Sequence, residues 1–269
     1  MQKMDTIDEF TIHLPSNTRF MESNTASKYV VKLALPANLS GDWECGLKEI
    51  HYPRSWYNVS GELAVMELRI ARGFGRPAHL KLAPLQPGNY ATNNDLTDGI
   101  QTALREVIKG QPATRNELKV YEERYTGRVR FEIPENISIG LHPHLSAMLG
   151  YGKPSGPLLT LTRNSRKQPE HPMTVQLVDA LYVYSDVVQS SLVGDVMAPL
   201  LRVVPVRGEH GEMCHVEYIK PIYYPLAKLN FSTVEIHITD SAGRKIQFIS
   251  GKTTVVLHFR RKKLRRRAV

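Results

Sequence analysis

Apolar and polar residues alternate along much of the chain. Val129, Phe131 and Ile133 are interleaved with Arg128, Arg130 and Glu132. Val234, Ile236 and Ile238 are interleaved with Glu235, His237 and Thr239, and Met66, Leu68 and Ile70 with Glu67 and Arg69. Val255, Leu257 and Phe259 repeat the pattern near the end. Successive side chains on a strand point to opposite faces, so each segment has one face for a core and one for solvent. Antiparallel sandwiches and barrels produce that pattern, whereas buried parallel sheets read as continuous apolar runs. Further strands are predicted at Phe10–Leu14, Lys28–Leu35, Trp43–Tyr52, His79–Leu82, Leu118–Tyr121 and Leu158–Leu161. Others are predicted at Val175–Tyr184, Leu200–Val206, Met213–Ile219 and Ile246–Ile249. Turn signals such as Ser40-Gly41, Pro87-Gly88, Gly127 and Ala242-Gly243 separate them.

One stretch departs from this period. Leu96, Ile100, Ala103, Leu104 and Val107 have helical spacing, predicting a helix from about Asn93 to Lys109. Asn93 or Asn94 can cap its start, Asp95 and Asp98 suit the positive end of its dipole, and Gly110 ends it. A shorter helix is predicted at Pro143–Leu149, stopped by Gly150. One long helix among a dozen strands argues for an all-β fold with a helical insertion.

The chain has 269 residues, enough for a substantial core without disulfides. Cys45 and Cys214 are its only cysteines, too few for a disulfide framework or a thiolate zinc set, and read as small buried apolar groups. The formal net charge is +9, but seven basic residues lie in one run, Arg260, Arg261, Lys262, Lys263, Arg265, Arg266 and Arg267. The rest of the chain carries 28 basic against 26 acidic groups, so the body is nearly neutral. A dense run of like charges repels itself, and residues 260–269 read as a disordered tail suited to a polyanion, an inner-surface partner or a nuclear-import receptor. The first ten residues hold Asp5, Asp8 and Glu9 and do not read as a signal peptide. No stretch approaches 18 uncharged apolar residues, so no membrane partner is expected.

Signatures of chemistry are thin. Gly73-Phe74-Gly75 lacks the third glycine and following helix of a phosphate cradle and reads as a loop. No Walker loop, nucleophile elbow or paired histidine on a helix occurs. His142-Pro143-His144 offers two imidazoles without further ligands. Cys214 and His215 are neighbours on a strand and face opposite ways, with His215, His237 and His258 read as solvent-facing. Asp186 and Asp195 are read as loop residues that cap backbone donors rather than as a catalytic pair. Tyr182, Tyr184, Tyr218, Tyr223 and Tyr224 do not alternate with Lys or Arg as a base-stacking platform would, and suit an interface or core edge. No catalytic, cofactor or metal site is predicted.

Several segments together carry a resemblance. They are Leu145-Ser-Ala-Met-Leu-Gly-Tyr151, Ala180-Leu-Tyr-Val-Tyr-Ser-Asp-Val-Val-Gln189 and Leu192-Val-Gly-Asp-Val-Met-Ala-Pro-Leu-Leu-Arg-Val-Val-Pro205. Tyr223-Tyr-Pro-Leu226, Asn230-Phe-Ser-Thr-Val-Glu-Ile-His-Ile-Thr-Asp240 and Phe248-Ile-Ser-Gly-Lys-Thr-Thr-Val-Val-Leu-His-Phe259 follow, with the basic end behind. Their order resembles the minor capsid (penton) proteins of Polinton/Maverick-type DNA transposons and adintoviruses, most densely from about Leu145 onward. The resemblance implies a jelly-roll β-sandwich over residues 1–259, with an insertion within 71–170. It implies a non-enzymatic protein without cofactors, forming homopentamers at the five-fold vertices of an icosahedral shell beside a double jelly-roll major capsid protein. It also implies a place in the virion, and in the host nucleus during assembly, with the basic tail near packaged DNA. The competing expectation is a nucleic-acid-binding β-domain acting through that tail. A third is a carbohydrate-active sandwich, which requires carboxylates converging in a groove.

Overall fold

The computed structural model describes residues 8–60, 64–71, 78–109, 117–152, 156–176 and 178–262. Three strands come first: β1 (Glu9–Pro15), β2 (Lys28–Asn38) and β3 (Trp43–Pro53). Next are β4 (Val65–Ile70), β5 (His79–Pro84), helix α1 (Asn93–Val107), β6 (Lys119–Glu123), β7 (Arg128–Glu132), β8 (Ile137–Leu141), helix α2 (Pro143–Met148) and β9 (Leu159–Thr162). The last group is β10 (Ala180–Ser185), β11 (Ser191–Val193), β12 (Val196–Ala198), β13 (Leu200–Pro205), β14 (Met213–Glu217), β15 (Tyr224–Pro225), β16 (Asn230–Thr239) and β17 (Thr254–Arg261). The chain divides into two compact units, Met1–Trp56 with Val178–Val269, and Tyr57–Leu177.

The first unit is a jelly roll. Its two antiparallel sheets run in the orders β1-β17-β3-β14 and β13-β10-β16-β2, with β15 added to β3. The chain begins in the first sheet, crosses to the second at β2 and returns at β3. It enters the second at β10 and β13, goes back at β14, crosses at β16 and closes in the first at β17. This eight-strand path through two sheets defines the architecture. First and last strands lie side by side, from Glu9 opposite Arg260 to Pro15 opposite Thr254.

The alternating residues meet between these sheets. Leu14, Cys45, Leu47, Ile50, Tyr52, Val183, Ile236, Ile238, Leu257 and Phe259 are all buried. Each large apolar side chain removed from water contributes roughly 1.5–3 kcal/mol before entropy is counted. Phe259 stacks on Phe10 at 4.9 Å between centroids and on Phe231 at 5.8 Å. Gly46 is required by a close backbone approach: a β-carbon there would lie 2.4 Å from the Ile222 carbonyl oxygen. The β3–β17 register shifts between Val256 and Leu257, which leaves Lys48 as an extra residue. Lys48 and Glu49 therefore both lie on the outer side, between buried Leu47 and Ile50.

The second unit has a sheet of order β5-β4-β8-β9, the hairpin β6–β7 and helices α1 and α2. Helix α1 buries Leu96, Ile100 and Leu104, as its period predicts. Its cap is Thr92, one residue before the expected asparagines. The Thr92 hydroxyl accepts from the Asp95 amide while the Asp95 carboxylate accepts from the Thr92 amide, a reciprocal box that an Asn93 cap would not complete. Pro143 opens α2, where its missing N–H costs nothing. After α2, Gly150 adopts φ +83°, and a β-carbon there would lie 2.1 Å from the His171 carbonyl oxygen.

Several strand expectations change, and the short β11, β12 and β15 were not predicted. Ile137–Leu141 was not among the predicted strands, yet β8 sits between β4 and β9. The strand predicted from Val175 begins at Ala180. Ile246–Ile249 forms no strand: the chain ahead of it is turned back by Asp240, whose carboxylate accepts from the Ala242 and Arg244 amides, and only Lys245 bridges to Thr239.

Candidate functional site

The basic run begins inside the first sheet rather than beyond it. Arg260 and Arg261 are the last residues of β17, so the expectation of a floppy segment starting at 260 changes at these two positions. The reason is pairing on both sides, since Arg260 lies opposite Glu9 of β1 and Glu44 of β3. The Arg260 guanidinium reaches the Glu44 carboxylate at 2.6 Å and covers the Tyr223 ring at 3.5 Å. Arg261 leans towards the Trp43 ring at 5.6 Å, and its amide donates to the Asp8 carbonyl. The Lys262 amide donates to the Asp42 carbonyl. Lys263, Arg265, Arg266 and Arg267 lie outside the described residues. Beneath this root, the Tyr223 hydroxyl and His258 Nδ1 share a hydrogen bond of 2.9 Å. Burial pulls the His258 imidazole below its ordinary value and pushes the Tyr223 phenol up. The His258 Nε2 lies 3.6 Å from Glu9, an ion pair only when the imidazole is protonated, which its burial disfavours.

The second feature is apolar. Strands β11 and β12 form a hairpin between β10 and β13, with Leu192 opposite Met197 and Val193 opposite Val196. Leu192 is 74 % exposed, Met197 65 % and Val196 55 %. Leu192 and Met197, as direct cross-strand partners, share one face. Leu192 and Met197 thus form an exposed apolar pair on one face of the hairpin, a feature suited to a partner, while Val196 faces the other side. The tyrosines named from sequence do other work in part: Tyr218 lies under the Arg202 guanidinium at 4.1 Å, and Tyr223 under Arg260.

The residues singled out for chemistry are placed as follows. The His142 side chain accepts from the His144 amide and caps α2, and His144 Nε2 lies 3.4 Å from the Asn58 carbonyl oxygen, so the pair does not converge on one point. Burial raises both Cys45 and Cys214, which keeps them protonated thiols. The Asp186 carboxylate is held by Lys228 and by the Glu235 amide, the capping role expected of it. Asp195 occupies the hairpin turn between β11 and β12. Asp186 and Glu235 do line an open groove of about 430 Å³ with Tyr184, Pro199 and His237 on the outer face of the second sheet. Each acid has a lysine on it, Lys28 standing 3.1 Å from Glu235. Burial lowers the His237 imidazole as well. Gly73-Phe74-Gly75 lies outside the described residues.

On the outer face of the first sheet, His215 is the register partner of His51, and Glu49 stands beside both. Sequence reasoning placed His215 towards solvent but missed this grouping, because only the β3–β14 register brings the histidines together. Among the described residues, no helix is long and apolar enough to cross a membrane.

No family model matches the chain, and no curated protein sequence matches it. Among solved structures, the crystal structure of a mavirus penton protein is similar over 94 % of this chain and 98 % of that one, at 9 % identity and a TM-score of 0.46.

Proposed function

We propose that this chain is a minor capsid (penton) protein that assembles as a homopentamer at the five-fold vertices of an icosahedral shell, encoded by an element of the Polinton/Maverick or adintovirus type. The strand order β1-β17-β3-β14 over β13-β10-β16-β2 carries the reading, because it is the architecture that the ordered sequence motifs imply. The exposed hairpin of Leu192, Val196 and Met197 supports it as a lateral contact. Five-fold closure needs a head-to-tail interface in which one surface of a protomer meets a different surface of the next. A body of near-zero charge lets copies approach without mutual repulsion. A double jelly-roll major capsid protein is the proposed neighbour in the shell. The virion is the proposed location, with assembly in the host nucleus. The chain is proposed to act without catalysis.

Light scattering and electron microscopy of the purified chain test this reading. Five-membered rings are expected at high concentration, and Leu192→Asp with Met197→Asp is expected to abolish them. A strictly monomeric chain that also fails to join particles formed by the major capsid protein overturns it.

The basic run is proposed to touch packaged DNA or the shell's inner surface through Lys262, Lys263, Arg265, Arg266 and Arg267. Arg260 and Arg261 anchor the segment instead. Shortening the chain after Lys262 is expected to weaken DNA binding and flatten its salt dependence, since every phosphate no longer neutralised takes about 0.9 off the slope on duplex DNA. Undiminished DNA binding by the shortened chain favours the alternative, a nucleic-acid-binding body.

A further inference from the structure

We infer that Glu49, His51 and His215 form a binding site for a divalent transition-metal ion of the zinc class. The site lies on the outer face of the first jelly-roll sheet, and its assignment is independent of the capsid reading. His51 and His215 are direct register partners on β3 and β14, so their side chains leave the same face. Their rings lie 4.3 Å apart between centroids and within 14° of parallel. Glu49, two residues before His51, joins that face, and one of its oxygens lies 3.7 Å from His51 Nε2 and 4.0 Å from His215 Nε2. One ligand atom from each residue falls within 4.8 Å of the others. Among the described residues, no other three histidine, cysteine or acidic side chains meet that condition.

Two imidazoles and a carboxylate are the donor set that borderline divalent ions take, with metal–ligand distances of about 2.0–2.2 Å. Tetrahedral ligation at that length places donor atoms roughly 3.3 Å apart. The present separations therefore close by less than about 1.5 Å, and the two histidine side chains, 39 % and 48 % exposed, have room to turn about their own bonds. No backbone motion is needed, because β3 and β14 already hold the histidines in register. Three protein ligands leave one position for water, the arrangement of an open rather than a closed site.

The surrounding charge favours a cation. Glu217 is the register partner of Glu49, so two carboxylates face each other directly across the strands. Like charges in that position repel, and a dication between them removes the repulsion. Lys48 Nζ, 3.9 Å from the other Glu49 oxygen, is the local competitor. It stands on this side only because of the bulge in β3. β14 is an edge strand of the sheet, so an ion held between His51 and His215 clips that edge to its neighbour.

The test uses the full, tag-free chain after removal of bound metal. Co²⁺ is added while its visible absorption is followed, and Zn²⁺ then displaces it. Saturation at one ion per chain is expected, with the band intensity of a four-coordinate centre. Zn²⁺ is also expected to raise the midpoint of thermal unfolding followed by tryptophan emission. His51→Asn and His215→Asn are each expected to weaken binding at least about tenfold, and the isosteric Glu49→Gln likewise. Unchanged tryptophan emission from Trp43 and Trp56 establishes that each variant is folded, and Glu49→Gln decides the matter if a histidine variant is not. Absence of saturable binding up to about 1 mM metal overturns the assignment. So does undiminished binding in the folded variants.

Discussion

The two units solve the same burial problem with different residues. The jelly roll fills its interior with rings: Tyr29, Trp43, Tyr52, Trp56, Phe231 and Phe259 are all buried. The 57–177 unit fills its own with Leu, Ile, Val, Met and Ala, and its aromatic residues Tyr90, Phe131 and Tyr151 stay at the margin. Their connectivity differs as well. In the 57–177 unit, β4–β5, β6–β7 and β8–β9 each pair consecutive strands, and a helix supplies local contacts. In the jelly roll, β1 finds β17 and β2 finds β16 from opposite ends of the chain. Local pairing closes short loops and is fast, whereas distant pairing must meet a larger loop entropy first. Wide aromatic surfaces provide a large apolar reward once those distant strands meet. The contrast also gives each unit its own reporter. Both tryptophans, Trp43 and Trp56, belong to the jelly roll, and α1 and α2 belong to the 57–177 unit.

The largest expected effect comes from removing the ring that joins both ends of the jelly roll. Phe259→Ala should cost about 3–5 kcal/mol. The denaturant midpoint seen by tryptophan emission should fall, while the helical circular dichroism signal keeps its own. Loss of both signals at one midpoint would show that the units unfold as a single block. The reciprocal change, Ile100→Ala in α1, should cost roughly 2–4 kcal/mol and be read in the helical signal first. Tryptophan emission should then hold its midpoint.

The smallest effect is one of pH. His237 and His258, both in the jelly roll, are held below their ordinary values by burial. The unfolded chain therefore binds more protons than the folded one as pH drops through about 6.5, and stability falls with it. The tryptophan-detected midpoint should decline across that range, and His237→Gln with His258→Gln should flatten the decline. A pH response that survives both substitutions would place its source elsewhere.

Alternation made β4, β7 and β16 legible, because one face of each is mostly buried and the other mostly wet, whereas in β17 it holds only from Leu257 to Arg260, since Val255, Val256 and Leu257 are all buried beside the register shift. Ile137–Leu141 also alternates, but it is five residues long and lies just after Pro134 and Asn136, so its central place in a sheet was not legible. The helix of α1 was visible in its apolar period. Its cap was not, since Thr92, Asn93 and Asn94 are all capable and only the Asp95 partnership decides among them. The jelly-roll architecture came through the sequence motifs as a set, but the order of its strands did not, because no local signal says that β1 will find β17. The same limit hid the pairing of His51 with His215. Sidedness can be read from one segment, but register belongs to two. Charge counting also misled at one point: it treated the basic run as uniform, while Glu9, Glu44 and Tyr223 are spread through the chain and assemble around Arg260 only on folding.

Strand β17 lies between β1 and β3, with seven register pairs on one side and eight on the other. A pull applied at the Arg261 end of β17 therefore runs lengthwise along a ribbon clamped along both margins. Such a load is shared by many parallel attachments at once, instead of peeling them away singly, so the Arg260–Arg261 end of β17 is held in shear by both of its neighbours.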